Sequence, residues 1–454
     1  MRRQLQLKLA LSAHHVVLPT CNALVRVTCA ATAARHPAVP DLLVQDCMSN
    51  SFSSKRVLEN LRVLAQRTGG PNGARRLCWT SEWLEARALL REQLSTLPLE
   101  VEQDEAGNLW AYLRGESKET IVIGSHLDSV PSGGWLDGAL GVMAGLEVMR
   151  ALCDGPKPAR TIALVDWADE EGARFGRSLF GSAAVAGSLD LEVLAGLKDK
   201  NNAGLVETLA EHGVHLNALE LCEKRRDTIA AYLELHIEQG PVLEQMSQPI
   251  AVVTGTVGIE RKRFIFNGQA AHAGTMPMVM RKDSLRAASR FILEVADIGV
   301  AHNGVTTVGS ISCRPGVVTA VPGETMVTLD MRHIDATSLN NMLAESLTSA
   351  TKWAAHEGCE VRVEHIFAID PMIFDPKLIE MTRQSIGEVH DTVVEIPSGA
   401  LHDASEMARS IPTAMIFTSS TNGLSHTKEE DTPVEHLEMG CEAFWSLVNR
   451  VITG

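Results

Sequence analysis

The chain has 454 residues, enough for two domains with a large buried core, and its 45% hydrophobic and 21% charged content is ordinary for a globular protein. The formal net charge of -15 argues against a nucleic-acid or anionic-membrane partner, because both require a basic face. No uninterrupted run approaches the roughly twenty apolar residues of a membrane-spanning helix.

The first forty or so residues differ from the rest, because they contain arginine and lysine but no acidic residue before Asp41. Such a start is typical of a mitochondrial transit peptide. It can equally be a dispensable extension, since Met48 stands just before the globular pattern begins. Both interpretations stay open, and residues 1–49 are excluded from the fold prediction. Nine scattered cysteines indicate reduced thiols, so the predicted compartment is the cytoplasm, or the mitochondrion if the segment is a transit peptide.

The next segment alternates helices and strands. Helical spacing begins at Lys55 and is broken by the turn residues 69–71, and a second helix is predicted over Ser81–Leu94 with Ser81 as its N-cap. The further elements predicted here are strands Leu109–Leu113, Thr120–Gly124 and Thr161–Trp167 and a helix Gly138–Leu152. This order predicts an α/β domain with a mainly parallel sheet and helices on both faces.

The pattern changes near Val257, after which strands are grouped around helices. The elements predicted there are strands Lys262–Asn267, Thr306–Ser312, Thr325–Met331 and Glu360–His365 and helices Asp283–Ala296 and Ser338–His356. Such grouping predicts a smaller α+β domain inserted in the larger one. The predicted segments are a first part of the larger domain at 50–258, the inserted domain at 259–371 and a second part of the larger domain at 372–454.

The first motif that could carry chemistry follows the strand predicted to end at Gly124. His126 and Asp128 are two residues apart, so an extended backbone would point their side chains to the same side. A metal-bound imidazole commonly has its second nitrogen held by a carboxylate, which Asp128 can supply. Asp137 stands on a glycine-flanked loop, where a carboxylate can bridge two cations. An ordinary surface loop explains this motif equally well when it is taken alone.

The second motif places two adjacent carboxylates, Glu170 and Glu171, after an apolar strand. If they are buried, they are costly unless they are paired or bound to a metal. One can ligate a cation while the other takes a proton from water, which would place a general base beside a Lewis acid. A solvated acidic turn is the alternative.

Two later histidines complete the set. Strand alternation puts Glu234, His236 and Glu238 on one face, and His426 lies in a loop before the acidic run 429–431. Either histidine alone would more often be structural. Nitrogen and oxygen ligands without a thiolate suit zinc, manganese, cobalt or nickel in an open catalytic site. The sequence therefore predicts two divalent cations near the strand ends.

Together and in this order, the motifs resemble the hydantoinase/carbamoylase-type amidases, within the di-zinc aminoacylase and carboxypeptidase superfamily. This group includes N-carbamoyl-L-amino-acid hydrolases, allantoate amidohydrolases and β-ureidopropionases. The resemblance covers residues 55–454 and rests on these strings: His126-Leu-Asp128, Asp137-Gly138, Glu170-Glu171-Gly172, Glu234-Leu-His236-Ile-Glu238-Gln239-Gly-Pro241 and His272-Ala-Gly-Thr275-Met-Pro277-Met278. The string around His236 is the most group-specific, because the peptidase relatives generally have a carboxylate ligand there.

The resemblance implies two cations that share one carboxylate. The first would be held by His126, Asp137 and His236, and the second by Asp137, Glu171 and His426. Asp128 would orient His126, and Glu170 would be the general base. Residues 259–371 would form a lid and dimerisation domain.

The resemblance also implies how the substrate is held. His272 would come from a second subunit and stabilise the tetrahedral oxyanion, so the implied enzyme is a homodimer with shared sites, in which Arg332 also acts across subunits. The predicted substrate-binding residues are Gln239, Thr319, Arg332 and His402. A guanidinium suits a two-pronged grip on a substrate carboxylate.

Two positions depart from the family pattern. Thr319 stands where the family usually has asparagine, and Leu401 stands where glycine is common. A threonine hydroxyl replaces an amide that can both donate and accept, and the leucine is larger than the glycine. Neither change touches the metal set, so both bear on the substrate rather than on the reaction type.

We therefore predict hydrolysis of an N-carbamoyl-L-amino acid to the amino acid, ammonia and CO2. Glu170 would take a proton from water and give it to the leaving nitrogen. The alternatives are allantoate or another ureide as the substrate, an aminoacylase or dipeptidase activity, and a metal-dependent binding protein without catalysis. His236 argues against the second alternative, and the intact Glu170 argues against the third.

Overall fold

The structure is a computed structural model that describes residues 51–454. The two interpretations of residues 1–49 lie outside the described residues, and the compartment stays a prediction. The strands are β1 Gly69–Gly70, β2 Gly73–Ala74, β3 Glu100–Gln103, β4 Leu109–Leu113, β5 Ser117–His126, β6 Arg160–Trp167, β7 Ile229–Ile237, β8 Ile250–Thr256, β9 Gly258–Asn267, β10 Ala271–His272, β11 Val305–Arg314, β12 Ala320–Val321, β13 Glu324–His333, β14 Glu360–Ile369, β15 Met372–Ile373, β16 Glu395–Ser398 and β17 Thr413–Thr418.

Helices connect most of these strands. The α-helices are α1 Ser54–Thr68, α2 Ser81–Leu94, α3 Ala139–Cys153, α4 Phe180–Ala186, α5 Leu191–Ala195, α6 Leu205–Glu211, α7 Val242–Gln245, α8 Ser284–Ala301, α9 Ala336–His356, α10 Pro376–Val389, α11 Asp403–Met407 and α12 Val434–Thr453. In the described part of the chain, 3-10 helices run over Leu216–Thr228, Met278–Met280 and Thr421–Gly423. Within residues 51–454, none of the helices is both long enough and apolar enough to cross a membrane.

The large sheet is parallel at its centre and antiparallel towards its edges. Its nine strands follow the order β15-β8-β17-β7-β5-β6-β4-β3, with β16 paired to β8. The four central strands β17, β7, β5 and β6 run parallel, and so do β16 and β8. The predicted α/β class with a mainly parallel catalytic sheet is confirmed.

Both faces of the large sheet are buried. In β5, Ile121 and Ile123 pack into one hydrophobic cluster with α1, α2, α3 and α12, whereas Val122 packs into a second cluster with α4 and α11. Successive side chains of a strand point to opposite faces, so a continuous apolar run serves two cores at once. Helices therefore lie on both faces, as the sequence predicted.

The strand predicted over Thr120–Gly124 is longer than predicted, and its last residue is His126. The following helix is capped by Gly138, whose φ is 64°. A side chain there would place its Cβ 2.4 Å from the His126 ring, so this position requires glycine for two reasons. The predicted N-cap of α2 is wrong: Thr80, which has extended backbone angles, takes that place, and Ser81 is the first helical residue.

The second sheet is antiparallel and smaller. Its four strands follow the order β11-β13-β9-β14 and pack against α8 and α9. The buried residues of its hydrophobic cluster all lie between Phe264 and Cys359, apart from the two clusters of the large sheet. The boundaries of the three segments, 50–258, 259–371 and 372–454, stay a prediction.

Candidate active site

A cavity of about 540 Å³ lies at the carboxyl ends of the central parallel strands. The loops that follow each strand converge there, which is why open α/β sheets carry their sites at this edge. The predicted site residues that line the cavity are His126, Asp137, Glu170, Glu171, His236, Gln239, Arg332, His402 and His426. Asp128, His272 and Thr319 are not part of its wall.

Asp137 joins two groups of side chains through its two oxygens. Its Oδ1 lies 3.2 Å from His236 Nε2 and 3.8 Å from His126 Nε2. Its Oδ2 lies 3.2 Å from His426 Nε2, and Glu171 Oε2 lies 3.4 Å from the same nitrogen. Within each group of three, the candidate ligand atoms all lie within 4.8 Å of one another. One cation could therefore be held on each oxygen of Asp137.

With its proton on Nδ1, each of the two buried imidazoles can direct the lone pair of its Nε2 at this shared carboxylate. His236 Nδ1 lies 2.8 Å from the carbonyl oxygen of Ile237, to which only an N–H can donate. Its Nε2 accepts the backbone N–H of Gly138 at 3.2 Å. His126 Nδ1 likewise faces the carbonyl oxygen of Asp128 at 3.1 Å. A neutral imidazole held through its Nδ1–H presents Nε2 as a ligand atom beside a carboxylate oxygen, so the donor set fits a pair of metal ions.

Asp128 lies behind His126, at the base of the site. Its Oδ1 is 3.5 Å from His126 Nδ1, although β5 has ended by then. Its two oxygens also accept the backbone N–H groups of Glu170 and Glu171, each at 3.2 Å. Asp128 therefore holds an imidazole and the paired carboxylates in one arrangement, which is more than the predicted contact with the ring.

Glu170 is buried in the cavity wall, with its Oε2 3.6 Å from His126 Nε2. Burial, together with the neighbouring carboxylates, raises the pKa of Glu170 well above its usual value. A carboxylate with a raised pKa is a better proton acceptor near neutral pH. The residue predicted as the general base thus stands beside the first group of ligands.

Gln239 and His402 line the cavity close to the candidate metal ligands. Gln239 Nε2 donates to Asp137 Oδ2 at 2.9 Å, and the backbone of Gln239 is left-handed, with φ of 58°. A non-glycine residue keeps such a conformation only where its surroundings hold it. The His402 ring centroid is 4.4 Å from that of His236. Burial lowers the pKa of His402 well below its usual value, so its ring is neutral.

Arg332 lines the cavity of its own chain. Its Nε donates to Asp330 Oδ1 at 2.9 Å, and its Nη1 donates to the carbonyl oxygen of Gly399 at 2.8 Å. Arg332 was expected to act from a second subunit, but β13 already carries it to the loop that contains Gly399. Arg261 shares the wall and donates to Asp330 Oδ2 at 2.6 Å. Sequence reasoning missed Arg261, because its only signal is its register opposite Asp330 in a neighbouring strand.

His272 and Thr319 lie together outside the cavity. His272 is exposed in the two-residue strand β10, and its Nδ1 accepts the N–H groups of Gly274 and Thr275 at 3.1 and 3.2 Å. Thr319 is also exposed, and its carbonyl oxygen accepts the N–H of Ala273 at 2.8 Å. Within one chain, these two residues do not meet the other site residues.

Two carboxylates near His236 in the sequence accept hydrogen bonds away from the cavity. Glu238 follows the end of β7, and its carboxylate accepts two backbone N–H groups of the next turn at 2.7 and 2.8 Å. Glu234 is fully buried and accepts the hydroxyl of Ser125 at 2.7 Å. The predicted shared face therefore ends with the strand, and neither residue lines the cavity.

The chain matches the model of Peptidase family M20/M25/M40 over residues 122–450. It is 33% identical over 402 residues to an N-carbamoyl-L-amino-acid amidohydrolase of Paenarthrobacter aurescens, covering 86% of this chain and 96% of that relative. It is 30% identical over 384 residues to an allantoate amidohydrolase of Bacillus subtilis (strain 168), covering 84% and 93%. A crystal structure of an amidase of the hydantoinase/carbamoylase family from Burkholderia multivorans has a TM-score of 0.81 and 34% identity, covering 88% and 98%.

Proposed function

The chain belongs to Peptidase family M20/M25/M40, and from this membership and the geometry of its site we propose that it hydrolyses the carbamoyl C–N bond of an N-carbamoyl-L-amino acid. The resemblance to the hydantoinase/carbamoylase-type amidases is confirmed. The names of the relatives indicate an amidohydrolase that acts on C–N bonds other than peptide bonds. The products of the proposed reaction are the amino acid, ammonia and CO2.

One observation carries the proposal: Asp137 directs its two oxygens at two separate sets of ligands, with a buried Glu170 beside them. His126 and His236 would hold one divalent cation with Asp137, and Glu171 and His426 would hold the other. When bound, these cations would act as Lewis acids and lower the pKa of water. Zinc, manganese, cobalt and nickel all suit such nitrogen and oxygen ligands.

The protein's own side chains would transfer the proton and bind the substrate. Glu170 takes a proton from the attacking water and later gives it to the leaving nitrogen, so the proton is conserved through the cycle. Arg332, with Arg261 beside it, binds the substrate carboxylate. Gln239 and His402 form the wall of the cavity around the reacting group. The neutral ring of His402 can do so without repelling the cations.

The oxyanion would be stabilised by His272 of a second subunit. The support is its position, because it lies outside the cavity of its own chain on a surface rich in exposed apolar groups. Val279 and Val318 are 96% and 98% exposed. Large apolar side chains that are almost fully exposed favour a surface that is covered in an assembly, and we propose a homodimer. Thr319 would reach the substrate from the same surface.

Mixing two inactive variants tests this arrangement. If His272 acts across subunits, a dimer with His272→Ala in one chain and Glu170→Gln in the other keeps one intact site. Random reassociation of the two variants should then restore about a quarter of the wild-type activity, because half of the dimers are mixed and each has one working site of two. The rate of ammonia release from the mixture measures the restored activity. Activity no higher than that of the separate variants would place His272 in its own chain's site or outside catalysis.

A substrate panel tests the reaction itself. Ammonia release would be measured from N-carbamoyl amino acids, N-carbamoyl-β-alanine and allantoate, after loading with zinc, manganese, cobalt or nickel. We expect turnover of an N-carbamoyl-L-amino acid and none of its D-isomer. Allantoate is the second candidate, because a relative bears its name and its ureido and carboxylate groups suit the same contacts. Hydrolysis of N-acyl amino acids or dipeptides alone would contradict the proposal and favour the peptidase-like branch.

A further inference from the structure

Glu430 is a buried carboxylate that touches both loops of the candidate metal centre. It is 2% exposed, and its Oε1 accepts the backbone N–H groups of Leu136 and Asp137, each at 3.0 Å. Its Oε2 accepts the hydroxyl of Ser425 at 2.7 Å, immediately before His426. One side chain therefore joins the loop of the shared carboxylate to the loop of the last histidine.

These contacts form a closed ring of hydrogen bonds. Because Ser425 donates its only hydroxyl proton to Glu430, its oxygen is left to accept, and Gln239 Nε2 lies 3.2 Å away. The same Gln239 nitrogen donates to Asp137 Oδ2 at 2.9 Å. Asp137 closes the ring through its own backbone N–H on Glu430. Glu430 thus accepts at two points of the ring, and it fixes the direction in which the Ser425 hydroxyl donates.

The surroundings of Glu430 make room for its carboxylate and satisfy it with hydrogen bonds. A Cβ at position 134 would lie 1.9 Å from Glu430 Oε1, so the chain needs Gly134 to make room for the carboxylate. Within residues 51–454, Glu430 forms no ion pair with a lysine or arginine, and a buried carboxylate without one is costly unless hydrogen bonds satisfy it. Its neighbour Glu429 is exposed, and its side chain accepts the Thr427 hydroxyl and pairs with Lys428.

We propose that Glu430 is a positioning residue that clamps the Asp137 loop to the His426 loop and so holds the second cation site in shape. This inference rests on the proposed binuclear function. The first site has independent support, because Asp128 and backbone carbonyl groups hold its imidazoles. His426 is half exposed, and the hydroxyl of the adjacent Ser425 ties its loop to the buried Glu430. Loss of the clamp should therefore lower the affinity for the cation held by Asp137, Glu171 and His426.

The test compares Glu430→Gln with the matched control Glu429→Gln. A glutamine at 430 has the same size, and its oxygen still accepts the two backbone N–H groups, but its NH₂ group faces the Ser425 hydroxyl and breaks the ring. After zinc loading and dialysis, metal analysis should find about two ions per chain in the wild type and the control, and about one in Glu430→Gln. Zinc titration should show the second affinity lowered by roughly 10- to 100-fold.

Two further measurements separate positioning from simple destabilisation. The kcat of Glu430→Gln should recover as free zinc is raised. Because bound zinc would also rescue a destabilised fold, the metal-free variant must unfold at the temperature of the metal-free wild type for this recovery to indicate positioning. Ser425→Ala breaks the same ring and leaves the backbone contacts of Glu430 in place, so it should also lower the affinity for the second zinc ion. This variant tests the proposal if Glu430→Gln does not fold. Two tightly held ions in a folded Glu430→Gln or Ser425→Ala protein would overturn the clamp alone. A wild type that binds fewer than two ions would instead overturn the binuclear function.

Discussion

Replacement of Glu170 by glutamine should lower kcat by roughly 10²- to 10⁴-fold, which is the usual contribution of a general base. The amide keeps the size of the carboxylate but cannot accept the proton of the attacking water. Glu170 is not among the proposed metal ligands, so the metal content should stay at the wild-type value. Steady-state kinetics and metal analysis of the same preparation measure both quantities.

The control for Glu170→Gln is the same substitution at the next residue, Glu171. Glu171→Gln removes a proposed ligand of the second cation, so it should lose metal and activity together. Glu170→Gln should lose activity alone. Turnover of Glu170→Gln within tenfold of the wild type would remove Glu170 from the role of base, and loss of metal from it would make it a ligand instead.

Replacement of Asp137 by alanine should remove both cations, because each of its oxygens faces a different group of ligands. Turnover should fall to the background rate. The thermal stabilisation by added metal should also disappear: a ligand at one hundred times its Kd stabilises a fold by about 2.7 kcal/mol per site. Thermal unfolding with and without zinc measures this difference without any substrate.

His426→Ala is the control for that experiment. His426 belongs to one group only and its side chain is half exposed, so its loss should leave the first cation in place and preserve part of the metal-dependent stabilisation. If Asp137→Ala and His426→Ala lost the same amount of metal, Asp137 would not bridge two sites.

Most of the secondary structure and most of the site could be predicted because their signals are local. The apolar run before His126 and the one before Glu170 each end where the chemical residues begin, and the carboxyl ends of parallel strands meet at one edge. The prediction that Glu238 shares a face with Glu234 and His236 was wrong, because side chains alternate only while the backbone stays extended. Strand β7 ends at Ile237, one residue before Glu238.

The acidic run 429–431 shows where local signals stop. Its three carboxylates look alike in the sequence, yet Glu429 is exposed and Glu430 is buried against backbone N–H groups 294 and 293 residues away along the chain. Likewise, Arg261 and Arg332 become neighbours only through the pairing of β9 with β13 and their shared contact with Asp330.

By itself, the sequence determined the α/β class, the order of the elements and the identity of the candidate ligands, because strand patterns and the residues at strand ends are adjacent along the chain. Only the tertiary structure decided which oxygen of Asp137 faces which histidine, that Arg332 reaches the cavity of its own chain, and that His272 does not. These are distances between segments far apart in the chain, and they depend on how two sheets and the loops between them pack.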